Sequence, residues 1–367
     1  MVRNGKMKFL GMSVATGMLA VWSSLAGCQG STSSSTGDTS NSGGAGGSGG
    51  TTVTTGDMGG SVSVSSTSSM TASSTMSATT GSSMSSTSSG GPMGQAATVV
   101  EITTGKIGPG VAVQLTGVVA MSRKFLVSQS KSTGSCLWGV FISDKVAETA
   151  PSTGTIALSY GTNASIPPGS TDAVCPTGTD AFPNDTKLGD VLTVVGQSDA
   201  YIPKTCGQNA GESNVAEYQV SKVTSATRTG TTTAPTPHTL TEAEAVKLAD
   251  QTDKAFHDLW GGVKVRVANV SPVLFPPSGS GSSPTVVGPY GIIKLATGNV
   301  EVVDKIYYAK ASSNVCQQAP KFTDPTIKFA SVDGFSYLNY CTWSLAPNDK
   351  CADFSPKSED CGAMSCE

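Results

Sequence analysis

Acid–base chemistry near neutral pH has few carriers in this chain, because only His238 and His257 supply imidazoles among 367 residues. His257 stands beside Asp258, and Glu242 and Glu244 precede them. An imidazole next to a carboxylate could act as a general base, and two neighbouring carboxyls could divide acid and base roles. No nucleophile in a recognised motif accompanies them, so helix capping and surface solvation account for these residues and no catalytic residue is assigned. His238, between Pro237 and Thr239, falls in a linker. The run Gly46-Gly47-Ser48-Gly49-Gly50 has the G-x-S-x-G spacing of a hydrolase nucleophile, yet no strand precedes it and no helix follows.

Metal chemistry is equally thin. Asp172, Asp180 and Asp185 share a loop with Gly, Thr and Asn, and loop carboxylates are what calcium takes. Their spacing follows no regular calcium motif, so the loop reads as a solvated one. Nine cysteines contain no C-x-x-C pair, which with two histidines disfavours zinc. No metal or cofactor is assigned. Stacking is the remaining chemistry. Tyr160, Tyr201, Tyr218, Trp260, Tyr290, Tyr307, Tyr308, Tyr337 and Trp343 are the available rings, most of them expected in packing and a few on a binding face. Trp138 and Phe141 are an odd number of residues apart, so a regular strand turns them to opposite faces.

The elements that position these residues are strands. From residue 98 onward Val, Ile, Tyr and Phe recur in short runs broken by Gly, Pro and Asn. Strands are predicted at Thr98–Thr103, Val111–Ala120, Leu137–Ser143, Thr155–Tyr160, Asp190–Gly196 and Val215–Val223. A second set is predicted at Val263–Val270, Tyr290–Leu295, Val300–Tyr308, Ile327–Tyr337 and Thr342–Leu345. One helix is predicted between the sets, near Glu242–Asp250, where Thr241 and Glu244 form a capping box. The fold class is therefore mainly all-β, with two small barrels over 98–230 and 238–354 and a cysteine-containing tail over 355–367.

The first 97 residues differ in kind. Arg3, Lys6 and Lys8 precede an uncharged run from Phe9 to Trp22, too short to span a bilayer at roughly 20 residues. Leu25-Ala26-Gly27-Cys28 follows and resembles the lipobox of bacterial lipoproteins. That resemblance implies a signal peptide over 1–27, acylation of Cys28 and membrane attachment; Gln29 after the cysteine implies the outer membrane. Residues 28–97 are nearly all Ser, Thr, Gly, Ala and Met, a composition that cannot offset chain entropy by burial. They read as a disordered tether with an r.m.s. reach of roughly 45 Å.

With Cys28 acylated, Cys136, Cys175, Cys206, Cys316, Cys341, Cys351, Cys361 and Cys366 remain as disulfide candidates for an oxidising exterior. Three fall in the first barrel, so full pairing requires at least one bridge between the halves, expected from the tail. The net charge of −3 becomes more acidic once the signal's cations are removed, which argues against nucleic acid.

The strand texts, taken in order, resemble the paired OB-fold region that precedes the catalytic domain in large secreted bacterial endonucleases/exonucleases. Val113-Gln114-Leu115-Thr116-Gly117-Val118-Val119 is similar to its opening strand, and Trp138-Gly139-Val140-Phe141-Ile142-Ser143-Asp144 to a later one. Leu188-Gly189-Asp190 through Gly196, Trp260-Gly261-Gly262-Val263, Tyr290-Gly291, Val303-Asp304, and Gly334-Phe335 through Trp343-Ser344-Leu345-Ala346-Pro347 continue the series over roughly 98–354. Gly261 replaces an acidic residue of the family, and Asn348 stands where it tends to have Arg. The nuclease domain would follow Phe354, where thirteen residues remain. The resemblance thus implies the accessory part without the enzyme: a surface-tethered, non-catalytic binding or scaffold protein with a protein or glycan partner. The alternatives are a nucleic-acid-binding accessory to a secreted nuclease and a hydrolase of unrecognised type.

Overall fold

The computed structural model describes residues 94–130, 135–161, 175–277, 282–309, 314–363 and 366. The signal peptide, Cys28 and all of the expected tether but its last four residues lie outside them. Gln95–Ala97 of that tether form a short strand, β1, parallel to the next strand.

After β1 come a helical turn α1 (Val99–Thr103) and six strands: β2 (Ala112–Ala120), β3 (Phe125–Gln129), β4 (Cys136–Ser143), β5 (Gly154–Gly161), β6 (Asp190–Tyr201) and β7 (Glu217–Thr231). Their order in the sheet is β1-β2-β6-β7-β5-β4-β3, and a β2–β4 pairing closes the ring. All contacts in the ring are antiparallel except β5–β7. This is the five-stranded Greek-key path of an OB barrel. Gly117 marks the bend of its first strand, at φ +77° where the register against β6 shifts between Thr116 and Val118. A bulge of that kind asks for a residue free to take positive φ.

The second barrel follows the same path. β8 (His238–Thr239) leads into α2 (Glu242–Ala249) and a further short helix, α3 (Lys254–Trp260). Then come β9 (Lys264–Val270), β10 (Pro272–Val273), β11 (Ile293–Leu295), β12 (Glu301–Val302), β13 (Phe329–Asn339), β14 (Thr342–Ala346) and β15 (Phe354–Ser355). Their order is β10-β11-β12-β14-β13-β9-β8, with β12–β14 parallel and β15 added to β13. Because β10 continues β9 past Ser271, the path closes through the chain itself. The chain is mainly β, with two OB-type barrels. Among the described residues no helix is long and apolar enough to cross a membrane.

Three local readings are corrected. Thr98–Thr103 is not a strand: Thr98 caps α1 and Glu101 answers it in a capping box, which outweighs the strand propensity of Val99, Val100 and Ile102. Only Glu301–Val302 of Val300–Tyr308 is strand, since the chain turns at Asp304, whose carbonyl accepts from the Tyr308 amide. Tyr290 precedes its strand rather than joining it, in a turn at φ +60°.

Each barrel has its own core, and a third apolar cluster lies between them. β4 shows why. Its even positions Cys136, Trp138, Val140 and Ile142 fill the first barrel, while Phe141 points the other way. The Phe141 and Phe335 rings stack at 4.0 Å and 5°, with Phe125 at 5.7 Å and Tyr337 edge-on at 5.8 Å. A strand buried on both faces reads as a continuous apolar run, as Trp138 to Ile142 does. Next to this cluster the backbones meet: a Cβ on Gly154 would lie 2.6 Å from the Gly262 carbonyl oxygen, and one on Gly262 would lie 2.6 Å from Thr155 Cα. Hydrogen bonds complete the seam, from Thr149 Oγ1 to the Lys264 carbonyl at 2.6 Å and from the Arg123 amide to Asn348 Oδ1 at 3.2 Å.

The eight cysteines pair as Cys136–Cys175, Cys206–Cys341, Cys316–Cys366 and Cys351–Cys361. Cys206–Cys341 crosses from the first barrel to the second. The tail does not supply that crossing. It folds back on β13 through β15, so Cys351, Cys361 and Cys366 find partners on their own side.

Candidate functional site

The residues that could have carried acid–base chemistry are not assembled. His257 is 1% exposed, stacks on Trp343 at 4.3 Å, and donates from Nε2 to the Asp250 carbonyl at 2.7 Å. Burial pulls it down to about 4, so it is a neutral ring packed between α3 and β14. Asp258 does not orient it and instead accepts from Lys254 Nζ at 2.7 Å on the outer face of α3. Glu244 closes the capping box of α2, with Glu242 in that helix's first turn. His238 Nδ1 lies 3.2 Å from Glu148 Oε1, beside the Trp260 ring.

The loop acids are matched by cations of the chain itself. Asp180 accepts from Lys124 Nζ at 3.0 Å with both side chains buried, and Asp185 accepts from Arg228 Nη1 at 3.0 Å. Asp172 lies outside the described residues. One further group, Asp349 with Cys351 and Cys366, brings ligand types together, but both sulfurs belong to disulfides and are no thiolates.

A concave feature lies at the seam. A cleft of about 370 Å³ opens between the barrels, walled by β3, β5, β6 and β7 on one side and by Lys305 and Tyr337–Tyr340 on the other. That volume is at the lower end of small-molecule sites, roughly 300–1,000 Å³. Tyr160, Tyr201 and Tyr340 stand on its rim at 58%, 50% and 80% exposure. Tyr337 is buried behind them.

The register of β6 against β7 builds the polar wall. Tyr201 lies opposite Glu217, and Asp199 opposite Gln219, whose Nε2 donates to Asp199 Oδ2 at 3.2 Å. Gln197 faces Ser221, and the register shift that follows leaves Lys222 at φ +50°, exposed at the cleft edge. Lys305 is pushed down by burial and lies 6.0 Å from the Tyr340 ring.

Glu217 is one of ten residues among those described with a buried side-chain nitrogen or oxygen that lacks a partner, and the one of them that lines the cleft. It is 3% exposed, and its Oε1 has no hydrogen-bond partner. Burial pushes its carboxyl up to about 8 against a hydrogen bond from the Leu338 main chain, so at neutral pH it is an acid able to donate. Sequence reasoning placed Tyr160, Tyr201 and Tyr337 among the rings but missed Glu217, Gln219 and Ser221. Their signal was alternation: three polar residues on one face of β7, a pattern that a solvated face shares.

Protein-family models, curated proteins and solved structures give no match to the chain.

A carboxyl raised in the folded state holds its proton more tightly there than in the unfolded chain. Its stabilising contribution is complete below about pH 4.5 and is lost as pH rises through about 8. His257 acts oppositely, costing stability as pH falls from 6.5 toward about 4, and Asp304, raised to about 6, acts below that value. The interval above pH 6.5 therefore isolates Glu217. Glu217→Gln is expected to gain stability on the wild type by about 2 kcal/mol between pH 6.5 and 8, at 1.36 kcal/mol per unit. Denaturant melts at both pH values check this; a constant difference between the two proteins would contradict it.

Proposed function

We propose that this chain is an exported lipoprotein that performs no chemistry of its own and binds a ligand in the cleft between its OB barrels. The observation that carries this reading is Glu217, a buried acid with an unpaired oxygen in the wall of a cleft rimmed by three exposed tyrosines. Buried polar groups are satisfied as a rule, so an orphan facing a cavity points to a missing partner. Exposed rings beside it supply flat apolar area at low entropic cost.

The N-terminal segment supports the rest of the proposal. An acylated Cys28 anchors the chain in the outer membrane, and the Ser/Thr/Gly-rich tether holds the barrels away from the bilayer. Four disulfides fit an oxidising compartment. Partners are met at the envelope, and the acidic charge balance disfavours nucleic acid among them.

Fractionation of the producing cells tests the anchor. The wild type is expected in the membrane fraction and detergent phase, and Cys28→Ser in the aqueous phase; an unchanged distribution would overturn the anchor. Thermal-shift screening of the mature chain against saccharide, oligodeoxynucleotide and peptide panels tests the cleft. At least one panel is expected to raise Tm for the wild type and not for Tyr201→Ala. Silence in all three panels would remove the binding reading.

A further inference from the structure

Resting on that reading of the cleft, we infer that its ligand is a linear oligosaccharide, a chain of pyranose units lying along β5 and β7 across both faces of Tyr160 and Lys222. A second, more open hollow of about 470 Å³ adjoins the cleft and is lined by Ser159, Thr179 and Thr224. Tyr160 and Lys222 belong to both hollows. A groove divided by one ring and one bulged lysine suits a repeating ligand with a unit on each side better than a compact one.

A pyranose presents an apolar C–H face and an edge of hydroxyls, each of which donates and accepts. Tyr160, Tyr201 and Tyr340 supply the apolar faces. The wall supplies donors and acceptors side by side: the Asp199–Gln219 pair, Ser221, Asn339 and the unpaired Glu217 oxygen. OB barrels use this sheet face for oligomers of either sugars or nucleotides.

Charge and edge geometry decide between the classes. A nucleic-acid strand brings a phosphate with every unit and depends on several cationic contacts. Here Lys222 and Lys305 share the cleft lining with Asp199, in a chain of net charge −3. A peptide bound by strand addition would need a sheet edge to extend. The edge strand in the cleft wall is β3, and its ladder with β4 shifts register between Leu126 and Ser128 after only two residue pairs. Sugars need neither a phosphate site nor a ladder.

The test is calorimetric titration of the mature disulfide-bonded chain at 150 mM salt, roughly physiological ionic strength. The probes are linear hexasaccharides (β-glucan, α-glucan, β-mannan, chitin and galacturonan), their disaccharides, and oligodeoxythymidine. At least one hexasaccharide is expected to bind, about tenfold or more tightly than its disaccharide. Tyr160→Ala and Tyr201→Ala are each expected to weaken it by about tenfold or more, the factor carried by one such contact. Binding confined to galacturonan and lost in Lys222→Met would assign the lysine to a sugar carboxylate; binding of an uncharged chain would assign it to hydroxyls. Both support the inference. Oligodeoxythymidine binding with silent sugars would overturn the sugar and leave the cleft as the site. Silence of every probe, with wild-type circular dichroism, would remove both.

Discussion

The contact on which the molecule turns is the stack of Phe141 on Phe335, two fully buried rings 4.0 Å apart that belong to different barrels. Aromatic side chains bury large areas, and offset stacking adds roughly 0.5–1.5 kcal/mol beyond burial. Around it, Phe125, Tyr337, Ile156 and Leu158 make a core that neither barrel owns. The consequence appears in the strands that supply it. β4 is apolar on two faces, one for the barrel interior and one for the seam, and β13 sends Val332 to its own barrel core and Phe335 and Tyr337 to the seam. Gly154 and Gly262 are confined to glycine by the same closeness, since a side chain on either would meet the other barrel's backbone.

The seam also makes the cleft. Where Phe141 and Phe335 meet, the barrels touch; the cleft opens beside them, walled by β6 and β7 on one side and Tyr340 on the other. Cys206–Cys341 holds the far end, next to Tyr340 and a few residues beyond Tyr201. A binding surface assembled from two barrels keeps its shape only while both hold their relative places. The stack and the disulfide give it rigid walls, the condition under which a few well-placed polar groups can select a ligand. Glu217 belongs to both aspects: it lines the cleft from β7 and takes its hydrogen bond from Leu338 of the other barrel.

Much of this was legible from residue order. Alternation marked most of the strands, and the odd spacing of Trp138 and Phe141 placed them on opposite faces, now the barrel core and the seam. Thr241 and Glu244 announced α2. The same box at Thr98 and Glu101 went unread because Val99, Val100 and Ile102 favour strand, and propensity is weaker than a satisfied cap. Parity demanded a disulfide across the halves but could not choose Cys206–Cys341, since pairing depends on where loops return. The cleft was not legible. Its polar residues alternate on β7 as a solvated face would, and only the neighbouring barrel turns that face into a wall.

Joined through Phe141 and Phe335, the two barrels are expected to open as one cooperative body. Native-state hydrogen exchange under increasing denaturant, comparing amides of β4 with those of β13, tests this most directly. Matching opening free energies for both strands are expected, lowered together by about 3–5 kcal/mol in Phe141→Ala, as for a buried phenylalanine. Two separate opening energies, with Phe141→Ala moving only the first barrel, would contradict the account.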